Sequence, residues 1–145
     1  MTDSLSRDVY WTIRSVSRIL KDRLCKRLED SGITWPQFHA LCHIDENGIP
    51  ANELAKELQC NASNMTGIID RMIENHWVYR EHSAKDRRVW LIKLTEEGSK
   101  LKAKLLPQHY NNIETLMAVL SEPELVTLKN LLEKLIHADL EEEKQ

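Results

Sequence analysis

The sequence predicts a mainly α-helical protein with one small β-hairpin. Apolar residues recur at steps of three and four over most of the chain, which is the period of an amphipathic helix. The period changes to that of β-strands only between residues 78 and 94, where two β-rich runs flank a polar tip. Two short helical segments joined by a tight polar turn precede this hairpin. This order of elements is that of a winged helix-turn-helix with further helices on both sides.

The first helix is predicted from a long apolar stripe. Its members, spaced by three or four residues, are Leu5, Val9, Ile13, Val16, Leu20, Leu24 and Leu28. Gly32 is expected to end the helix, because glycine adopts the left-handed backbone of a helix stop without a steric penalty. A stripe of this length must be covered by another apolar surface.

The second and third helices are predicted from their first residues. Thr34 and Gln37 form a capping box, and Pro36 lies in the first turn, where proline fits a helix. This helix is expected to run to Asn47-Gly48. A third, shorter helix follows Pro50 and has an apolar side made of Leu54, Ala55 and Leu58.

The fourth helix opens at Asn61 and has two contrasting faces. The face expected to be buried carries Met65, Ile68, Ile69, Met72 and Ile73. The opposite face carries small or polar residues, namely Ser63, Asn64, Thr66, Gly67 and Arg71. Strands are predicted at 78–81 and 89–94, and the tip at 83–88 holds three cations and one carboxylate. A polar helix face beside a cationic hairpin suits a major groove beside a minor groove of duplex DNA.

Charge is distributed unevenly along the chain, whose net charge is −3. Residues 76–95 contain five cations and two carboxylates, a local charge of +3. Residues 121–145 contain three cations and seven carboxylates, a local charge of −4. A phosphate backbone responds to the local surface, since charges more than about 8 Å apart are largely screened at physiological salt. The hairpin is therefore basic enough to bind nucleic acid in spite of the acidic total.

Two more helices follow the hairpin. The fifth begins after Thr95, which caps it, and contains Pro107, which is expected to kink it. The sixth begins at a second capping box, Ser121 with Glu124, and is apolar on a broad face that reaches Leu140.

These elements predict a single domain over residues 1–145. Its winged helix-turn-helix lobe covers residues 50–95, and a helical dimerisation layer covers 1–30 and 96–145. A two-fold dimer would bury the apolar stripes and present two recognition helices to successive major grooves. A homodimer is therefore expected.

Composition and missing motifs exclude several classes of protein. The chain is 41% hydrophobic and 30% charged, which is typical of an ordinary folded protein. It contains neither the run of about 20 apolar residues of a membrane span nor a signal-peptide core, which predicts a cytoplasmic protein without a membrane partner. Its three cysteines lack metal-site spacing and fit reduced thiols. Without a phosphate loop or a nucleophile motif, we expect no enzymatic activity and no cofactor.

Several motifs together resemble the MarR (multiple-antibiotic-resistance regulator) family. The run Asp86-Arg87-Arg88, followed by the segment 94–98 with sequence LTEEG, is similar to the family's wing signature, in which an Asp-x-Arg tip leads into a strand ending Leu-Thr-x-x-Gly. The likeness extends to residues 64–72, to Leu54-Ala55, to the helix order and to the chain length. One departure is His76, where the family usually has glycine. Either Asn75 or His76 is therefore expected to take a left-handed turn.

The resemblance implies a dimeric transcription factor, most commonly a repressor, that binds a pseudo-palindromic operator and is released by a small effector. The family's wing arginine corresponds to Arg88, with Asp86 orienting the tip through an ion pair. Arg87 is the alternative residue for the minor groove. Lys85 and Ser83 are expected to contact phosphates.

The resemblance also assigns the recognition helix. Ser63, Asn64 and Thr66 are the expected contacts to base edges, and asparagine can make a paired contact to adenine worth ~1–3 kcal/mol. Asn61 and Arg71 are assigned to helix capping and to positioning on phosphates. For each of these residues the alternative is a solvated surface position.

Family effectors are often phenolic or other aromatic acids, which bind between the dimer layer and the DNA-binding lobe. The residues that could line such a cleft here are Trp11, Trp35, His39 and His43. Ordinary packing is the alternative for each of them.

Two sensing variants remain open. His39 and His43 lie four residues apart on one helical face, and with His109 they leave a zinc-sensing regulator as an alternative. Cys25 lies among four cations that are expected to lower its pKa, which leaves a thiol-sensing regulator open. Buried inert thiols are the competing interpretation for Cys25 and Cys42.

A winged helix that serves only as a protein-interaction module is the main alternative function. Such a module has no need of a cationic tip beside a polar helix face, so Lys85, Arg87 and Arg88 favour DNA. Ionic strength separates the two functions, since DNA affinity falls by about 0.9 log units per log unit of salt for each phosphate neutralised.

Overall fold

The computed structural model describes residues 2–143, with the side chains of residues 4–138. The chain divides into two compact units, one up to residue 110 and one from residue 111 onward. The predicted class, mainly α-helical with a small β-hairpin wing, is confirmed. The elements are α1 Thr2–Leu28, α2 Trp35–His43, β1 Ile49–Pro50, α3 Ala51–Glu57, α4 Ala62–Glu74, β2 Val78–His82, β3 Trp90–Leu94, α5 Glu96–Met117 and α6 Glu122–Glu143.

Helix α1 is covered along only part of its apolar stripe. One 3-10 turn, Glu29–Ser31, follows it, and Gly32 takes the predicted left-handed conformation with φ 73°. Leu24 and Leu28 at its carboxyl end are buried, whereas Leu5 and Val9 are 65% and 48% exposed. Among the described residues, the amino-terminal part of the stripe therefore remains uncovered.

Helix α2 begins as predicted but ends earlier. The Thr34 hydroxyl oxygen accepts from the amide of Gln37, and the Gln37 side chain accepts from the amide of Thr34, which completes the capping box. The helix ends at His43 and does not reach Asn47-Gly48. Ile44 turns into an extended conformation with its side chain fully buried, and the chain then reverses at Gly48 with φ 83°. The prediction of a longer α2 was wrong because Ile44 continues the apolar period although its backbone has left the helix.

The sheet has three antiparallel strands in the order β1-β3-β2. The predicted hairpin of β2 and β3 is confirmed. Strand β1 was not predicted, since it consists of two residues, one of them proline; it pairs Ile49 with Ile92 and Pro50 with Leu91.

The core of the first unit joins the helix-turn-helix to the wing. Its largest fully buried side chains include Phe38, Leu41, Leu54, Met72 and Ile92. They come from α2, α3, α4 and β3, so one apolar cluster holds the recognition helix against the base of the hairpin. This cluster leaves the polar face of α4 exposed.

The wing signature has a structural reason at the start of α5. His76 takes the left-handed turn with φ 63°, as one of the two predicted positions, whereas Asn75 has φ −81°. The Thr95 hydroxyl oxygen accepts from the amide of Gly98 and caps α5. A Cβ atom on Gly98 would lie 1.9 Å from the carbonyl oxygen of Trp77. Glycine is required here because the backbone of α5 approaches so closely to that of Trp77, the residue just before β2.

The last two helices begin as predicted. Helix α5 continues through Pro107 to Met117. At the start of α6, the Ser121 hydroxyl oxygen accepts from the amide of Glu124, whose carboxylate accepts from the amide of Ser121. The side chain of Leu140 lies outside the described residues. None of the helices within residues 2–143 has the combination of length and hydropathy that a membrane span needs.

Candidate nucleic-acid interface

Helix α4 has the two faces that the sequence predicts. Met65, Ile69 and Met72 are buried, while Ser63 and Asn64 are exposed, as are Thr66 and Arg71. Asn61 caps the helix, since its side chain accepts from the amide of Asn64 at 2.8 Å. The Thr66 hydroxyl donates to the carbonyl of Ala62 at 2.9 Å, so its oxygen lone pairs remain available as hydrogen-bond acceptors.

The wing tip is organised around Asp86. Its carboxylate accepts from the backbone amide of Arg88 at 3.1 Å and from Nε of the same arginine at 3.2 Å, so the expected ion pair is present. The Arg88 side chain is nevertheless 92% exposed. Ser83 donates its amide to the carbonyl of Val89 at 2.9 Å, and its hydroxyl oxygen accepts from the amide of Lys85. The tip is therefore a structured loop that projects its cations outward.

Two other cations of the wing have carboxylate partners below the tip. Arg80 Nη2 lies 2.7 Å from Asp70 Oδ1 on α4, an ion pair that ties the recognition helix to the wing. Lys93 Nζ lies 2.7 Å from Glu81 Oε2, and this hydrogen bond raises the pKa of Lys93. Sequence patterns gave no signal for the Asp70–Arg80 pair, because its members belong to different elements.

A cavity of about 890 Å³ lies between α1, α2 and α4. Its lining includes Trp35 and three basic side chains, Lys21, His39 and Arg71. None of the described residues that line it is acidic. The lining also includes Ser63 and Asn64 of the recognition helix. An aromatic wall with positive charge is suited to a small aromatic anion.

The expected effector residues meet this cavity only in part. Trp35 and His39 line it, with ring centroids 6.0 Å apart. His43 lies next to His39, at a ring distance of 5.1 Å, but not in the lining. Trp11 is 63% exposed and packs edge-to-face on Tyr10, so the structure does not bring it to the cavity. Lys21 and Arg71 were missed as cavity residues because they lie on helices distant in sequence.

The histidines near this cavity are held towards the neutral form. Burial lowers the pKa of His39, and electrostatic interaction with His43 and Lys21 lowers it further. Burial also lowers the pKa of His109, whose ring packs against Phe38 at 4.8 Å. Across the part of the chain that the structure describes, no three histidine, cysteine or acidic side chains are grouped as metal ligands.

The pKa values of Cys25 and Cys42 are both raised, which agrees with the interpretation of inert thiols and not with a thiol sensor at Cys25. Burial is the largest effect on Cys25 and raises its pKa, although Lys21 acts in the opposite direction. The expectation that neighbouring cations lower this pKa was wrong, because burial outweighs the effect of Lys21 and the carboxylates of Asp22 and Glu29 raise the pKa as well. Burial also raises the pKa of Cys42. Both environments disfavour the reactive thiolate.

Comparison with known proteins decides the family. The model of the MarR family matches residues 33–90, a span that contains both the recognition helix and the wing tip. The transcriptional repressor MprA of Escherichia coli strain K12 is 31% identical over 123 residues, which cover 83% of this chain and 69% of MprA. The chain belongs to the MarR family.

Two further comparisons extend this MarR likeness over the rest of the chain. The HTH-type transcriptional repressor MdtR of Bacillus subtilis is 25% identical over 144 residues, or 99% of this chain and 93% of MdtR. The crystal structure of the S. aureus MepR–DNA complex matches with a TM-score of 0.78 at 27% identity, over 89% of this chain and 96% of that protein. This MarR-family chain is therefore a transcriptional regulator with a winged helix-turn-helix fold.

Proposed function

We propose that this MarR-family protein is a cytoplasmic repressor with no enzymatic activity. It binds a pseudo-palindromic operator as a homodimer, and a small effector releases it from the DNA. The main observation in support is that the polar face of α4 lies next to a wing tip with three exposed cations. The Asp70–Arg80 ion pair, at 2.7 Å, connects α4 to the wing. Two similar proteins, MprA and MdtR, are named repressors, and the MepR relative was crystallised with DNA.

In this proposal α4 enters the major groove. Ser63, Asn64 and Thr66 are exposed on one side of its first turns and reach base edges. Asn61 caps the amino-terminal end of the helix, where free backbone amides attract a phosphate group. Arg71, five residues after Thr66 on the same helix, contacts the DNA phosphate backbone and so positions the helix on the duplex.

The wing enters the adjacent minor groove. Arg88 is the side chain that we place in the groove, with Asp86 limiting its directions, and Arg87 is the alternative. Lys85 and Ser83 contact phosphates at the groove edge. Because Arg80 is bonded to Asp70, the wing and the recognition helix meet the duplex with a fixed separation.

Homodimerisation is proposed from uncovered apolar surface. On α1, Leu5 is 65% and Val9 48% exposed, and on α6, Leu135 is 56% and Ile136 61% exposed. Exposed apolar stripes of this kind on helices mark protein interfaces. A second copy of the chain is the simplest cover, and the dimerisation layer at 1–30 and 96–145 remains part of the proposal.

The effector is proposed to be a small aromatic acid in the cavity between α1, α2 and α4. Lys21, His39 and Arg71 would bind the carboxylate, and Trp35 would pack on the ring. Asn64 lines the same cavity and is a proposed base contact, so the ligand and DNA would compete for one helix face. Titration of the protein with hydroxybenzoates tests this site. The double variant Lys21→Gln with His39→Gln should bind the hydroxybenzoate more weakly, while the operator affinity of the unliganded protein stays unchanged.

The proposed function is tested by selecting bound sites from random duplex DNA with the purified protein at about 0.15 M salt. Enrichment of a palindrome with half-sites about one helical turn apart is the expected result. The affinity should then fall steeply with added salt. A folded dimer that enriches no sequence, with or without added zinc or reductant, would favour the protein-interaction module instead.

A further inference from the structure

The distal end of the hairpin carries a stacked aromatic pair that the proposed DNA contacts do not use. The rings of His82 and Trp90 lie 3.6 Å apart between centroids, with 29° between their planes. Trp90 is 44% exposed, and His82 is exposed as well. A large indole held at the surface by a ring on one side is a preformed contact element.

Strand register places this pair on the inner face of the hairpin. Residues that are directly paired across two strands point to the same face. The pairs on this face are Val78 with Leu94, Arg80 with Ile92 and His82 with Trp90. Val78 and Ile92 are buried, so this face looks towards the core. Tyr79, paired with Lys93, lies on the opposite face and is 43% exposed.

The inner face also adjoins the recognition helix. Arg80, one pair below the stack, bonds to Asp70 of α4 at 2.7 Å. Two residues along a strand span roughly 7 Å, so His82 follows this contact by about that distance towards the tip. The stack therefore lies between α4 and the wing tip that carries Arg88.

Adjacent grooves of a duplex are separated by one sugar–phosphate backbone. With α4 in the major groove and the tip in the minor groove, the surface between them faces that backbone. We propose that Trp90, held by His82, binds the sugar–phosphate backbone at this position. The proposal rests on the proposed DNA-binding function.

The indole N–H is a donor only and suits a phosphate oxygen, while the flat ring can cover a deoxyribose. Stacking on His82 orients the indole before binding, which reduces the entropy lost on association.

The test compares Trp90→Ala, Trp90→Phe and Tyr79→Ala by fluorescence anisotropy with labelled duplexes at 0.15 M salt. Tyr79 is the matched control, since it is equally exposed on the other face of the same hairpin. We expect Trp90→Ala to weaken binding roughly tenfold, the scale of a buried aromatic interface contact. The loss should be equal on operator and on random duplex, because a backbone contact carries no sequence information. Trp90→Phe should lose less, and Tyr79→Ala should stay within about twofold.

A second residue tests the role of the stack. His82→Ala should weaken binding less than Trp90→Ala does, and the double variant should be no weaker than Trp90→Ala alone, since His82 acts through the indole. Far-UV circular dichroism and thermal melting check the fold of each variant. If Trp90→Ala does not fold, Trp90→Leu, which retains an apolar cross-strand contact, takes its place.

Three results would overturn the inference. Equal affinities for Trp90→Ala and Tyr79→Ala would show that the inner face makes no contact. A loss confined to the operator would show a base contact instead of a backbone contact. Wild-type protein that binds no duplex at all would remove the proposed function together with this inference, whereas the first two results leave the proposed function in place.

Discussion

Arg88 combines high exposure with a fixed direction, which is unusual for a surface arginine. Its side chain is 92% exposed, yet both its backbone amide and its Nε donate to the carboxylate of Asp86. The ion pair itself contributes little stability, since exposed pairs are worth ~0–1 kcal/mol. Its consequence is positional, because a guanidinium that is already oriented loses less freedom when it enters a groove.

Replacing Arg88 with alanine should abolish specific operator binding, with a loss of about a hundredfold or more. The dimer and the melting temperature should not change, since the side chain lies in solvent. Binding is measured by anisotropy on the selected operator. Lys129→Ala on α6 is the control for charge, because its side chain is 77% exposed and lies outside the wing. Wild-type affinity in Arg88→Ala would disprove the wing assignment and direct attention to Arg87.

Asn64→Ala should change sequence preference instead of general affinity. The exposed amide is expected to read one adenine, and its loss should reduce discrimination at that base pair by ~1–3 kcal/mol. Repeating the site selection with the variant gives the preference at each position. Equal losses on operator and random DNA would identify Asn64 as a phosphate contact.

At the scale of elements, local signals predicted the starts of helices well. Thr34 with Gln37 and Ser121 with Glu124 form the hydrogen bonds that their spacing predicts, because capping involves residues only three apart. Strand β1 and the end of α2 escaped prediction because they depend on pairing and burial across the core. Ile44, for example, is fully buried in an extended conformation.

The candidate site was predictable to the same extent. The wing tip and the polar face of α4 are contiguous in sequence, so their residues could be named in advance. The cavity was predictable only in part: Trp35 and His39 were named in advance, whereas Lys21 and Arg71 lie on other helices that only tertiary packing brings to them. The Asp70–Arg80 ion pair could not be predicted either, because it also joins two different elements.

The capping of α4 by Asn61 should be measurable as stability. Its side chain accepts from the amide of Asn64 at 2.8 Å, and loss of such a cap costs ~1 kcal/mol. Asn61→Ala should therefore lower the free energy of unfolding in urea by about that amount, while Asn61→Ser, which keeps a capping oxygen, should stay close to wild type. A loss of DNA affinity in Asn61→Ser without a loss of stability would assign Asn61 a direct DNA contact as well.

At the scale of the whole molecule, stability should fall as the pH drops from 7.5 to 5.5. Burial lowers the pKa of His39 and His109 in the folded chain below the value near 6.5 of an unfolded histidine. The unfolded chain therefore binds more protons in this range, which favours unfolding as pH falls. The measurement is the melting temperature against pH. His39→Gln with His109→Gln should flatten this dependence, and an unchanged slope would mean that other groups cause it.

The assembly also determines what the DNA-binding surface can recognise. A single copy presents one α4 and can read one half-site, so a pseudo-palindromic operator requires two copies in a fixed arrangement. The exposed stripe of α1 is the surface on which this requirement can be tested. On this stripe the side chains of Val9 and Val16 are about half exposed, at 48% and 47%, although they are apolar.

Placing two carboxylates in this stripe, as Val9→Glu with Val16→Glu, should convert the dimer to a monomer, because each buried charge would lack a partner in the interface. Operator affinity should fall by orders of magnitude, while binding of one α4 and wing to a half-site remains weak but salt-dependent. Sedimentation equilibrium gives the mass, and Ser15→Glu, roughly a third of a turn from the stripe, is the control for added charge. A wild-type protein that sediments as a monomer at micromolar concentration would disprove the dimer. A double variant that remains dimeric would place the interface elsewhere, and the apolar face of α6, with Leu135 and Ile136 exposed, is then the next surface to substitute.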